Sequence, residues 1–387
     1  METARMHASP EAFDDIRPYE DSEVREVIER LAHDQELLNA LVRFRFPTWH
    51  DSLLAPLLRW GVRRVLQRRL GDISDVHTFQ LYIADFMQRM ISTTTHGFEV
   101  KGLAQLPEDP PCLFVSNHRD IAMDPAFINY ALYEAGRSTV RIAIGDNLLK
   151  KPYATDLMRL NKSFIVRRSA KGIREMMAAF SLLSRYIHHT LKQDRQPIWI
   201  AQREGRAKDG IDRTDPAIIK MFQMADKKTD TSFTETVNSL NIVPVAISYE
   251  YDPCDLQKAR ELTMKASEGD YAKTEFEDIE SIARGISGYK GRVSVRFGRQ
   301  LSDKFENAEA VAKAIDDQIR ELYHLFPSNW LAYKYLGGDM TQAPLMTTEE
   351  EAEFNDRLGA CPKALQPQWL AMYANPVKNW LNELSAK

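Results

Sequence analysis

The residues best suited to chemistry lie in one short run, Leu113-Phe-Val-Ser-Asn-His-Arg-Asp-Ile-Ala-Met-Asp-Pro125. An apolar stretch ends at His118, and Asp124 then Pro125 read as a helix N-cap and its favoured first residue. A histidine between strand and helix stands at the carboxyl edge of a parallel sheet, where α/β proteins place their ligands. Asp120 and Asp124 are each near enough in sequence to hydrogen-bond the imidazole. Such a bond fixes the tautomer and stabilises the imidazolium formed when the other nitrogen takes a proton, as a general base requires. A packed histidine beside a capping aspartate fits the same run, so it gains weight only together with other segments.

Two further segments end in charge. Asn161-Lys-Ser-Phe-Ile-Val-Arg-Arg168 is a strand closing on two guanidiniums, whose forked donors suit phosphate or carboxylate. Ile198-Trp-Ile-Ala-Gln-Arg-Glu-Gly-Arg-Ala-Lys-Asp-Gly210 is an apolar strand opening into a turn with Arg203, Glu204, Arg206 and Lys208, where Gly205 lets the backbone approach a ligand. A fourth, Ile242-Val-Pro-Val-Ala-Ile-Ser-Tyr249, carries Pro244 and is expected to be irregular there. His118, Arg167, Arg168, Glu204 and Arg206 all fall at or just after strand C-termini, so a parallel sheet would bring them to one rim. A histidine base beside phosphate-sized cationic sites reads as transfer to or from the hydroxyl of a phosphorylated substrate.

The elements that must position these groups follow from periodicity. Strands are expected at Phe98–Lys101, Cys112–Ser116, Val140–Ile144, Ser163–Arg167, Ile198–Ala201, Ile242–Tyr249 and Val293–Phe297. Helices are expected at Glu23–Leu41, Pro125–Ala135, Asp146–Leu160, Lys171–Leu191, Pro216–Met224, Asp255–Ser267 and Ala308–Leu325, with one more at the end. In the Lys171 helix, Ile173, Met176, Met177, Phe180, Leu183 and Ile187 make one apolar stripe. Alternating strands and helices predict an α/β fold, a central largely parallel sheet flanked by helices, with an N-terminal helical region and C-terminal helices. The expected division is residues 1–90 as a helical, partly basic region, 91–300 as the α/β domain and 301–387 as a helical extension. Within the α/β domain, 252–290 reads as a polar helical insertion or lid.

The chain has 387 residues, 44% hydrophobic and 27% charged, enough for a sizeable core. Its 51 basic and 55 acidic side chains, net −4, argue against a surface built for nucleic acid. The longest apolar runs fall short of the ~20 residues needed to cross a bilayer, and the acidic start does not resemble a secretory or transit signal. Three scattered cysteines, Cys112, Cys254 and Cys361, make neither a disulfide framework nor a metal motif and fit a cytoplasmic setting. The near-neutral total hides a basic segment, Leu41–Leu70. There Leu54, Leu57, Leu58, Gly61 and Val65 share a helical face, with Arg59, Arg63, Arg64 and Arg68 around it and Trp49 and Trp60 alongside. That pattern fits a helix lying in a membrane interface as well as one packed on its own core. His188-His189 is expected on the solvated face of its helix rather than at a metal.

In order and content the four segments resemble the glycerolipid acyltransferases, the glycerol-3-phosphate and 1-acylglycerol-3-phosphate O-acyltransferases, over about residues 95 to 300. N-H-R-x-x-x-x-D-P at 117–125 resembles the first family motif, F-I-V-R-R at 164–168 the second, E-G-R at 204–206 the third and V-P-V-A-I-S-Y at 243–249 the fourth. The family pattern has four residues between His and Asp, whereas His118 and Asp124 are separated by five; a one-residue bulge that returns Asp124 to His118 is the preferred reading, with Asp120 as the other candidate. The second motif ends Arg-Arg, as in glycerol-3-phosphate acyltransferases, and the third lacks the usual Pro before Glu.

The resemblance implies transfer of a fatty acyl group from acyl-CoA or acyl carrier protein to a hydroxyl of glycerol-3-phosphate or a lysophospholipid such as 1-acylglycerol-3-phosphate. His118 would be the base and Asp124 or Asp120 its orienting acid. The acceptor would be held by Arg119, Arg167, Arg168, Glu204, Gly205 and Arg206. No metal or cofactor is implied beyond the acyl thioester co-substrate. The alternative chemistry is hydrolysis of a thioester or lysophospholipid, the same histidine activating water. A lipid substrate also favours the interfacial reading of Leu41–Leu70, as a peripheral contact with an anionic membrane surface.

Overall fold

The computed structural model describes residues 13–225, 231–274 and 277–386. In chain order the elements are α1 (Asp21–His33), α2 (Gln35–Arg45), α3 (Ala55–Leu70), α4 (Val76–Thr94), β1 (Gly97–Lys101), β2 (Leu113–Ser116), α5 (Met123–Glu134), β3 (Arg141–Gly145), α6 (Pro152–Leu160), β4 (Ser163–Val166), α7 (Ile173–Lys192), β5 (Ile198–Ala201), α8 (Pro216–Phe222), α9 (Phe233–Asn238), β6 (Ile242–Tyr249), α10 (Asp255–Glu268), α11 (Glu277–Ser287), β7 (Arg292–Phe297), α12 (Ala308–Leu322), α13 (Pro327–Tyr335), α14 (Thr348–Ala360) and α15 (Gln366–Ala386). The described residues form two compact units. One comprises those up to Phe86 with Arg141–Tyr186, and the other Met87–Val140 with those from Ile187 onward.

In the first unit, Val24, Val27, Ile28 and Leu31 repeat at helical spacing on α1 and bury against Leu37, Leu70, Phe79 and Leu160. The single helix expected over Glu23–Leu41 is two. The backbone at Asp34 turns extended and its carboxylate accepts the Leu37 N–H, so one residue stops α1 and caps α2. The helix expected from Asp146 begins instead at Pro152, whose fixed φ and missing N–H suit a first turn. β3 and β4 pair in parallel from Ile142 with Ser163 to Gly145 with Val166. The apolar stripe foreseen on α7 is core only in its later turns: Leu183 is buried, but Ile173, Met176 and Met177 are exposed.

The second unit is built on five neighbouring strands in the order β1-β7-β6-β2-β5. Each of these pairs is parallel except β6 with β7. The largely parallel sheet flanked by helices is therefore present, with one antiparallel pair. β2 and β6 are buried at every position, as strands covered on both faces are, while β1 alternates exposed and half-buried residues as an edge strand does. β6 runs unbroken through Pro244, contrary to the irregularity expected there; only the one donor is missing, and the Pro244 carbonyl still accepts the Gly298 N–H at 2.8 Å. The C-terminal helices bury Leu331, Phe354, Trp369 and Tyr373 with Tyr251 and Ala259.

Candidate active site

β2 delivers the site. Its two neighbours set its register, Leu113 pairing with Ile198 on one side and Ile242 on the other. Past the strand end the Asn117 side chain extends the ladder like a peptide group, donating Nδ2–H to the Ile247 carbonyl at 2.9 Å and accepting the Ile247 N–H at 2.8 Å. His118 follows from this anchored residue, and the Trp199 ring meets it edge to face at 5.8 Å. Ser116 lies within the strand, its hydroxyl donating to the Asn117 carbonyl and accepting from Trp199 Nε1. It is fully buried and committed to these partners.

Asp124 Oδ2 lies 2.8 Å from His118 Nδ1 and also accepts the backbone N–H groups of Arg119 at 2.6 Å and Asp120 at 2.9 Å. Its Oδ1 accepts the Tyr249 hydroxyl at 2.8 Å. The carboxylate is wholly buried and every donor around it points inward. An acceptor facing Nδ1 assigns the proton to Nδ1 and leaves the Nε2 lone pair for a substrate proton. Asp124 was expected to cap the following helix, but it sits in the first turn of α5 and faces His118. The N–H groups of Ala122 and Met123 are taken by Asp120. Asp120, the other candidate orienting acid, therefore serves the helix start. Burial, and next the charge of Asp124, push its carboxyl up from the ordinary range.

Arg119, expected to hold the acceptor, points into the protein. Its guanidinium is buried, donates to Asp212 Oδ2 at 2.6 Å and to the Ala207 carbonyl at 3.1 Å, and lies over the Tyr323 ring. Burial opposes its charge, but Asp212 and the neighbouring acidic groups outweigh burial and keep it protonated.

The segment after β5 returns to the same place. The Gln202 N–H donates to the Ser116 carbonyl and the Ala207 N–H to the His118 carbonyl, each at 2.8 Å. Arg203, Glu204, Gly205 and Arg206 arch between these two pins, with Gly205 at φ 74°, where a side chain would strain the backbone. Glu204 is exposed and Arg206 half-buried on this arch, one residue from the His118 contact. Arg167 and Arg168 belong to the other unit. Arg167 pairs with Asp15 at 2.9 Å, and the N–H of Arg168 donates to Asp146.

Two roles escaped the sequence reading: that of Tyr249 on Asp124 and that of Asp212 on Arg119. Tyr249 carries no local signal, since it meets Asp124 across 125 residues. His188, expected on a solvated face, is buried with Nε2 2.9 Å from the Phe222 carbonyl. Among the described residues no group of three or more His, Cys, Asp or Glu is arranged to hold a metal ion.

A largely parallel α/β sheet with a half-buried imidazole paired to a buried carboxylate beyond its strand ends is suited to acid–base chemistry. Residues 97–248 match the family model Acyltransferase, so this part of the chain is an acyltransferase domain. Among solved structures it is similar to the crystal structure of the 1-acyl-sn-glycerophosphate (LPA) acyltransferase, PlsC, from Thermotoga maritima, at 14% identity and a TM-score of 0.39. That likeness covers 84% of this chain and 100% of that one. No curated protein sequence matches the chain.

Proposed function

We propose that the domain moves a fatty acyl group from a thioester, acyl-CoA or acyl carrier protein, to a hydroxyl of glycerol-3-phosphate or a lysophospholipid. The observation that carries this reading is Asp124 Oδ2 at 2.8 Å from His118 Nδ1, which leaves Nε2 as base. His118 Nε2 removes the acceptor's hydroxyl proton as the oxygen attacks the thioester carbonyl. Asp124 stabilises the imidazolium, the tetrahedral intermediate collapses with cleavage of the C–S bond, and His118 returns the proton to the departing thiolate. Arg206 supplies the cation for the acceptor's phosphate and Glu204 an acceptor for its free hydroxyl.

The same reading places the enzyme on an anionic membrane surface. α3 buries only Ala55 and Leu70. Leu57 is 62% and Trp60 59% exposed, with Leu53, Leu54 and Val65 exposed as well and Arg64 over the Trp60 ring. Exposed leucine and tryptophan set among arginines fit acyl chains and anionic headgroups. No helix among the described residues is long and apolar enough to cross a membrane.

The test is an acceptor screen with one labelled acyl-CoA and a parallel acyl carrier protein assay. Acylated glycerol-3-phosphate or lysophospholipid is the expected product, and His118→Ala should lower turnover about 10²–10⁴-fold. Full activity in His118→Ala, or free fatty acid in place of acylated acceptor, overturns the reading.

A further inference from the structure

The turn from His118 to Asp124 is braced from a distant part of the chain. The peptide joining Arg119 to Asp120 is held at both ends: its N–H, that of Asp120, donates to Asp124 Oδ2 at 2.9 Å, and its carbonyl, that of Arg119, accepts from Lys258 Nζ at 2.6 Å. Lys258 lies on α10, is 2% exposed, and its ammonium also pairs with Asp252. Asp252 is itself fixed: its Oδ1 accepts the Cys254 N–H at 2.8 Å, and its own N–H donates to the Tyr373 hydroxyl at 2.9 Å. α11 adds a second contact, Gly285 packing so closely on the Asp120 carboxylate that a Cβ has no room. The segment expected to be an insertion or lid thus holds the Arg119–Asp120 peptide, one of the two whose N–H donates to Asp124, and packs on the Asp120 side chain.

Burying an ammonium is unfavourable unless its partners replace the lost hydration. Asp252 neutralises the charge, and the remaining specific partner is the Arg119 carbonyl. That carbonyl, without the ammonium, is a buried acceptor left unpaired, and the peptide relieves it by turning toward water. Turning the peptide moves its N–H away from Asp124 Oδ2 and so disturbs the oxygen that orients the imidazole.

We propose that Lys258 is a positioning residue for acyl transfer: its ammonium, steadied by Asp252, fixes the Arg119–Asp120 peptide so that Asp124 Oδ2 stays aligned with His118 Nδ1. This rests on the reading of His118 as the base. The test uses full-length Lys258→Met with wild type and His118→Ala. It measures kcat and both substrate KM values, together with the His118 Nδ1 proton resonance in ¹⁵N-histidine-labelled protein, assigned by its loss in His118→Ala. Lys258→Met should lower kcat about 10- to 100-fold with KM values changed less than about threefold, because misalignment acts on the reaction rather than on binding. The Nδ1 resonance should broaden or vanish. A wild-type kcat, or a lowered kcat with that resonance intact, overturns the proposal. Activity retained in His118→Ala overturns the reading of the base instead, and the resonance still reports on the brace. Should Lys258→Met not fold, Asp252→Asn, which keeps the ammonium but neutralises its carboxylate partner, is judged by the same two readouts.

Discussion

Tyr249 Oη lies 2.8 Å from Asp124 Oδ1, although 125 residues separate the two in sequence. The bond divides the carboxylate: Oδ1 belongs to the phenol at the end of β6, and Oδ2 is left to His118 and the turn's two peptide N–H groups. Burial, and next the negative charge of Asp124, push the phenol well above its ordinary pKa, so it remains a donor. The strand segment ending at Tyr249 thereby meets the turn that carries His118 and Asp124.

Tyr249→Phe preserves the ring and removes this donor. One buried carboxylate oxygen is then unpaired, and stability should fall by about 1–3 kcal/mol. Urea denaturation measures the loss, and kcat should fall with it because Asp124 is then held through Oδ2 alone. Wild-type stability and kcat in this variant would show that the bond does nothing.

Arg119 and Asp212 bury their charges together, each side chain 8% exposed. Asp212→Ala strands the guanidinium and should destabilise by about 3–5 kcal/mol, whereas adding Arg119→Met should recover part of that loss because no buried charge remains. Arg119 grips the Ala207 carbonyl behind the Glu204–Arg206 arch, so Arg119→Met should affect stability more than acceptor KM. Arg206→Ala should do the reverse. Urea midpoints and acceptor KM values on the four variants check this; a large KM effect from Arg119→Met alone would return Arg119 to the acceptor.

Leu57 and Trp60 stand exposed on α3 among its arginines. Leu57→Glu with Trp60→Glu should weaken binding to vesicles rich in anionic lipid, since it removes inserting surface and adds like charge. Folding should be unaffected because neither side chain is core. Co-sedimentation measures it, and unchanged binding would move the membrane contact elsewhere.

Lys290 is 0% exposed, donating to Thr94 Oγ1 at 3.0 Å and the Gly288 carbonyl at 2.7 Å. Burial pushes its ammonium down to about 8, against the opposing pull of Asp120. Unfolded lysine titrates near ~10.4, so between about pH 8 and that value the unfolded chain binds the extra proton and stability rises with pH. Wild type should gain stability over Lys290→Met when urea midpoints at about pH 7.5 and about pH 10 are compared. An equal change in both would contradict the burial effect.

Much of the scaffold is readable locally. Every strand foreseen in the chain is present to within a residue or so at its ends, because a run such as Ile242–Tyr249 carries its own apolar pattern. Helix ends were harder. Asp34 and Pro152 each override a continuous periodic pattern, one by capping and one by starting afresh. At the site, His118 and Asp124 were legible because six residues suffice for a turn to return on itself. Which aspartate meets the imidazole was not, since Asp120 and Asp124 are the same residue type at nearly the same distance. The choice came from the helix start, which claims Asp120.

Local sequence, then, carries the alternation of strands and helices, the order of four strand-end segments and an imidazole with an acid beside it. Each is encoded within a dozen residues, where period, capping and spacing act. Only the tertiary structure decided that Arg119 turns inward to Asp212, that Tyr249 and Lys258 hold the two sides of the Asp124 turn, and that the leucines of α3 face out. The contacts among them join residues 93 to 139 apart in the chain. There, burial and the pairing of buried polar groups select one partner among many chemically equivalent ones.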